Sequence, residues 1–228
     1  MKRIHELISE IRMKHPGQDF VANLGKSVEP GWRTHWRRHY RAYNDALMLL
    51  DNESWAILKS KAIAQFANER AGQRKQPFFN QLNEAFAYRY LLRQGLQDVR
   101  FLEEARKRTP DIRFIDGAKQ NYCEVKTVGI SEDEIGRRKG KKAYNGAIYQ
   151  NLSPGFLNKL GTDIGEAWTQ IHAVGTDGLV FILVRFDDIA LDYYNDYRTQ
   201  LIKFCRTHQF RNLVIKVGHL GRKRISIL

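Results

Sequence analysis

The sequence predicts an α/β fold, a three-layer α/β/α domain around a central mixed sheet preceded by an N-terminal helical region. Three observations carry this expectation. Apolar residues in the first third of the chain recur at three- and four-residue steps, the period of a helix. Asp116-Gly117, a two-residue turn signal of the hairpin kind, then separates Ile112, Phe114 and Ile115 from Tyr122, Val125 and Val128. Beyond it, residues 179–186 are almost continuously apolar, as a strand covered on both faces requires. The polar, basic stretch 71–76 marks the expected boundary, giving a helical region over 1–76 and an α/β domain over 77–228.

Residues 3–13 place Ile4, Leu7, Ile8 and Ile11 on one helical face and stop at His15-Pro16-Gly17. Residues 18–30 contain Leu24-Gly25-Lys26-Ser27, which looks like the end of a phosphate-binding loop. Phe20 stands where that motif needs its first glycine, and no strand leads into it, so the motif is rejected. Over 32–50, Trp32, Trp36, Tyr40, Tyr43, Leu47 and Leu50 form an aromatic and apolar face, and Arg33, Arg37 and Arg41 line a neighbouring stripe. The rings are read as core and the arginines as candidate phosphate contacts. His35 and His39 lie one turn apart but have no intervening Glu and several arginine neighbours, which disfavours a cation. Residues 54–70 form a further helix through Trp55, Leu58, Ala62 and Phe66.

Pro77 suits the first turn of a helix that runs through Arg93 and closes at Gly95. Phe78, Leu82, Ala85, Phe86, Tyr90 and Leu91 make that helix apolar nearly all round, so it is expected between layers. Glu84 is its odd residue, because a half-buried acid needs a partner. Strands are expected at 99–102, on both sides of the Asp116-Gly117 turn, at 179–186 and at 212–217, with helices at 156–172 and 193–208. Arg222, Lys223 and Arg224 read as a basic tail segment.

Chemistry concentrates in residues 109–128. Pro110-Asp111 heads one strand of the hairpin, and Glu124-Val125-Lys126 lies inside the other. Side chains alternate along a strand, so Glu124 and Lys126 share a face, and a tight turn brings Asp111 to the same end. Two carboxylates at close range repel each other in the absence of a cation, and hard divalent cations favour such oxygen ligands.

At Pro110-Asp111, Glu124-Val125-Lys126 and the upstream helix carrying Glu84, the chain resembles the PD-(D/E)-X-K nuclease superfamily, whose fold is restriction-endonuclease-like, over residues 78–186. The resemblance implies a Mg2+-dependent enzyme, with Mn2+ as a substitute, that hydrolyses nucleic-acid phosphodiester bonds as a DNA endonuclease. It also implies roles: Asp111, Glu124 and the carbonyl of Val125 as metal ligands, Glu84 completing the site, and Lys126 orienting the attacking water. Gln170 resembles a glutamine that some branches carry on the helix after the E-x-K strand. The alternative is a catalytically silent nucleic-acid-binding module with the same fold.

Charge points to the same partner. A formal net charge of +13 over 228 residues makes the chain self-repelling, and a polyanion relieves it, nucleic acid ahead of an anionic membrane surface, with DNA over RNA only as the resemblance implies. The stretch 131–143 starts acidic at Glu132, Asp133 and Glu134 and turns basic at Arg137, Arg138, Lys139, Lys141 and Lys142, as a substrate-contacting loop would. Cys123 and Cys205 lie far apart with no CxxC pattern, the N-terminus has no apolar leader, and no apolar run approaches membrane-spanning length. A cytoplasmic protein without structural disulfides is therefore expected. Cutting both strands with one site per chain commonly needs a homodimer.

Overall fold

The structure, a computed structural model, describes residues 1–28, 34–68, 75–103, 109–129, 150–185, 192–218 and 223–227. Among them are seven helices and a six-stranded mixed sheet whose strands follow one another in chain order, with the helices concentrated at the N-terminus. The chain divides into two compact units, one formed by Met1–Glu104 with Asp111–Gln120 and the other by Ala105–Pro110 with Asn121–Leu228.

The first unit begins with α1 (Lys2–Lys14), which buries Ile4, Leu7, Ile8 and Ile11 as their spacing predicts. The segment around Leu24-Gly25-Lys26-Ser27 is a helix, α2 (Asp19–Val28), so its backbone N–H groups serve the helix and do not form a phosphate cradle. Gly25 is tolerated there because the Arg12 guanidinium passes where a Cβ would stand. In α3 (Thr34–Leu47), Tyr40, Tyr43 and Leu47 are buried. His39 is also buried, with its ring centroid 5.2 Å from Tyr40, 5.0 Å from Tyr43 and 6.2 Å from Phe79. This histidine packs among aromatic rings.

Helix α4 (Asn52–Phe66) starts on Asp51, whose carboxylate accepts the Ser54 N–H at 2.8 Å. The same carboxylate accepts the Ser54 hydroxyl at 3.0 Å and the Tyr88 hydroxyl at 3.2 Å. Ser54 Oγ in turn accepts the Phe101 N–H at 3.1 Å. Tyr88 belongs to α5 (Gln76–Arg93) and Phe101 to β1 (Gln97–Phe101), so one N-cap ties two helices to a strand. Burial alone would raise the Asp51 pKa, but the Ser54 and Tyr88 hydrogen bonds outweigh it and hold the carboxyl below the usual aspartate range. A depressed carboxyl stabilises the fold above its unfolded-state pKa and loses that contribution as pH falls through the folded value. Asp51→Asn should therefore lower the melting temperature at neutral pH, and the gap from the parent should close as the solution is taken well below pH 4. A gap that persists undiminished in acid would show that the loss is not one of charge.

Helix α5 is buried at every residue from Leu82 through Tyr88, as expected of a helix apolar on all sides, and packs on α3, α4 and β1. Its buried Asn83 accepts the Tyr43 hydroxyl at 2.8 Å. Strand β1 pairs antiparallel with β2 (Ile112–Asp116), and the chain turns through Gly117, at φ +60°, and Ala118 into β3 (Lys119–Val128). A left-handed φ at the first central residue is what a tight hairpin turn requires of glycine.

In the second unit, β3 runs parallel to β4 (Gly178–Val184), with Glu124 opposite Val180 and Lys126 opposite Ile182. Strand β4 runs parallel to β5 (Leu213–Val217), which pairs antiparallel with β6 (Lys223–Ile227). The region read as a basic tail is thus a strand from Lys223 onward. Helix α6 (Pro154–His172), N-capped by Ser153, packs against β4, and α7 (Tyr194–Thr207) packs against β6. Their apolar faces, including Leu160, Ile164 and Leu201, close over Val180, Ile182 and Ile215. Cys123 and Cys205 are both buried thiols outside any disulfide, and burial pushes Cys205 up to about 11. Among the described residues, no helix is long and apolar enough to cross a membrane.

Candidate functional site

Each unit holds its own cluster of charged side chains. In the second unit, two-residue spacing on β3 puts Glu124 and Lys126 on one side of the strand, and Lys126 Nζ lies 2.9 Å from Glu124 Oε1. Glu124 is only 3% exposed, a depth at which a carboxylate needs compensation. The ammonium also donates to Gln170 Oε1 at 2.8 Å, from the last turn of α6. Gln170 Nε2 points to the Thr109 carbonyl at 3.5 Å. Lys126 is therefore clamped between a carboxylate and an amide oxygen, both at full hydrogen-bond contact.

In the first unit, Asp111 stands just before β2, and its carbonyl accepts the Leu102 N–H at 2.9 Å, fixing the backbone at the end of the ladder. Glu84, in the fully buried run of α5, is 5% exposed. Between these acids comes Lys61 of α4, whose Nζ lies 3.5 Å from Asp111 Oδ1 and 4.0 Å from Glu84 Oε2. Sequence reasoning did not single out Lys61. The signal was present, since Lys61 follows Leu58 by three residues and precedes Ala62, at the edge of an apolar stripe where an ammonium must find an acid.

The remaining expected residues are scattered or lie elsewhere. Val125 is buried in β3, in register with Phe181 of β4. Arg41 is exposed and Arg37 half-buried on α3, while Arg33 lies outside the described residues. Arg137, Arg138, Lys139, Lys141 and Lys142 also fall outside them.

Among the described residues, no three His, Cys, Asp or Glu side chains group closely enough to hold a metal ion by themselves. Magnesium does not require that, because it commonly binds through one or two carboxylates and keeps several waters. The Glu84–Asp111 pair offers two hard oxygen donors, and the Lys61 ammonium beside both is a cation already standing there. The donor chemistry fits a hard divalent ion. No family model, no curated protein and no solved structure matches the chain.

Proposed function

We propose that the protein is a Mg2+-dependent nuclease that hydrolyses phosphodiester bonds in nucleic acid, as an endonuclease acting on DNA in preference to RNA. The supporting observation is the clamp on Lys126, an ammonium on the E-x-K strand held by Glu124 and Gln170 at contact distance. The proposal extends to a three-layer restriction-endonuclease-like arrangement and to a cytoplasmic setting, which suits two unbridged thiols.

In this reading Asp111, Glu124 and the Val125 carbonyl would hold Mg2+, as the resemblance implies, and Glu84 would reach the ion or its water shell. The bound ion supplies Lewis-acid activation of water and charge neutralisation at phosphate. The protein's own part falls to Lys126. An ammonium has three donors; Glu124 and Gln170 take two and fix its position, and the third would serve the attacking water. Its positive charge also offsets the negative charge that grows on the phosphate oxygens in the transition state.

A second reading, a silent nucleic-acid-binding module, is favoured by one observation: both acid clusters are already paired with lysines. The experiment that separates them is Mg2+-dependent nicking of supercoiled plasmid, extended to single-stranded, double-stranded and branched DNA and RNA with Mg2+ and Mn2+. Binding without cleavage in every case supports the silent module. The basic stretch is tested separately. Replacing Arg137, Arg138 and Lys139 by alanine should weaken binding with little sequence preference and should flatten the salt dependence by about 0.9 in log–log slope for each phosphate that is no longer neutralised. An unchanged slope removes these residues from the nucleic-acid-binding surface.

A further inference from the structure

We infer that Lys61 is the resident counter-ion of the Glu84–Asp111 pair and must withdraw before a divalent cation settles there, so that Lys61 sets the cation affinity of the site. The inference rests on the nuclease reading above and deepens it. Each lysine stands on acids of its own unit. Lys126 touches its partners at 2.9 and 2.8 Å, the length of direct charge-assisted hydrogen bonds. Lys61 stands 3.5 Å from Asp111 Oδ1 and 4.0 Å from Glu84 Oε2, within Coulombic reach of both acids at once. It neutralises the pair as a shared counter-ion.

A magnesium ion bound to the same carboxylates would lie about 2.0–2.1 Å from their oxygens. The ammonium in its present place would then be a few ångströms from a doubly charged ion, where repulsion exceeds thermal energy several-fold even with substantial screening. Lys61 and the ion are mutually exclusive. Withdrawal is feasible because lysine carries its charge on a flexible four-carbon stem, and α4 is open to solvent at Ser60 and Ala64 on either side. The acids are thus compensated in both states, by an ammonium before the ion arrives and by the ion afterwards. When a binding-competent state is only partly populated, the apparent affinity falls in proportion to that fraction.

The test compares the full-length parent, Lys61→Gln and Lys61→Arg by thermal melts across a Mg2+ titration with no nucleic acid present, alongside plasmid nicking by the parent. Lys61→Gln keeps a hydrogen-bond donor but removes the charge, so its half-saturating Mg2+ concentration should fall about tenfold. Lys61→Arg keeps the charge and should titrate like the parent. If Lys61→Gln needs Mg2+ to fold at all, the midpoint of its Mg2+-induced refolding gives the same reading. A shift in Lys61→Gln with none in the parent also supports displacement. A midpoint in Lys61→Gln equal to or above the parent's overturns it, as does Lys61→Arg behaving like Lys61→Gln; if the parent still responds to Mg2+ and nicks plasmid, the nuclease reading survives that result. No Mg2+ response in any of the three proteins and no nicking by the parent removes the nuclease reading, and this inference with it.

Discussion

Lys126→Met is expected to lower the rate of plasmid nicking by about 10²–10³-fold, the usual loss when one preorganised group facing the developing charge is removed. The fold and the Mg2+-induced rise in melting temperature should survive, because the proposed role of Lys126 is exerted on the water and the phosphate and not on the ion. Glu124→Gln should abolish nicking too, but it should also erase the Mg2+-induced rise. Its effect on the ion-free protein follows from the structure. Glu124 lies 2.9 Å from Lys126. Neutralising Glu124 therefore removes an attraction and should cost about 1.5–3 kcal/mol, the range for a hydrogen bond to a charged group. The full penalty of a deeply buried pair is not expected, since Gln170 still holds the ammonium and the Lys126 side chain is 22% exposed. Parent-rate cleavage by both variants would sink the assignment of this site.

The largest expected effect on stability belongs to Phe181→Ala. Phe181 is fully buried in β4, paired with Val125 of β3 on one side and Val214 of β5 on the other. Truncation removes a whole ring from a position flanked by paired strands that cannot easily close in. The cost should be about 3–5 kcal/mol, and the melting temperature should drop by about 6–20 °C. A loss under about 1 kcal/mol would mean that the surroundings collapse into the space. Because β3 carries Glu124 and Lys126, weaker Mg2+ response should accompany the loss of stability.

Much of this architecture is legible where the signal is local. Strand alternation puts Glu124 and Lys126 on one side, Gly117 marks the hairpin turn, and the all-round apolarity of residues 78–91 announces a helix buried through Leu82–Tyr88. Glu84 is conspicuous for the same reason, as an acid in an apolar environment. Local signals mislead where composition imitates something else. Lys223-Arg224 looks like a basic tail although Ile225 and Ile227 alternate as a strand should, whereas the loop-like Gly25-Lys26-Ser27 inside α2 is already excluded by Phe20. Lys61 is hidden for another reason. Its acids, Glu84 and Asp111, come from a different helix and from the start of a strand, and only tertiary packing brings them to it. The clamp on Lys126 is half legible: Glu124 follows from spacing, while Gln170 enters only through the family resemblance.

Strand β6 has a consequence for how the molecule coexists with copies of itself. It is the outer strand at one side of the sheet among the described residues, and it covers β5, whose Leu213, Val214, Ile215 and Val217 are all buried. Without that cover, β5 would present an apolar strand with unsatisfied backbone donors and acceptors, a template for strand addition from another chain. With it, the outermost strand begins on Lys223 and Arg224, cationic residues of the type that discourages edge-to-edge stacking. The C-terminal strand thus acts as a guard against aggregation, and protease clipping near Gly218 would turn a protected sheet edge into an adhesive one.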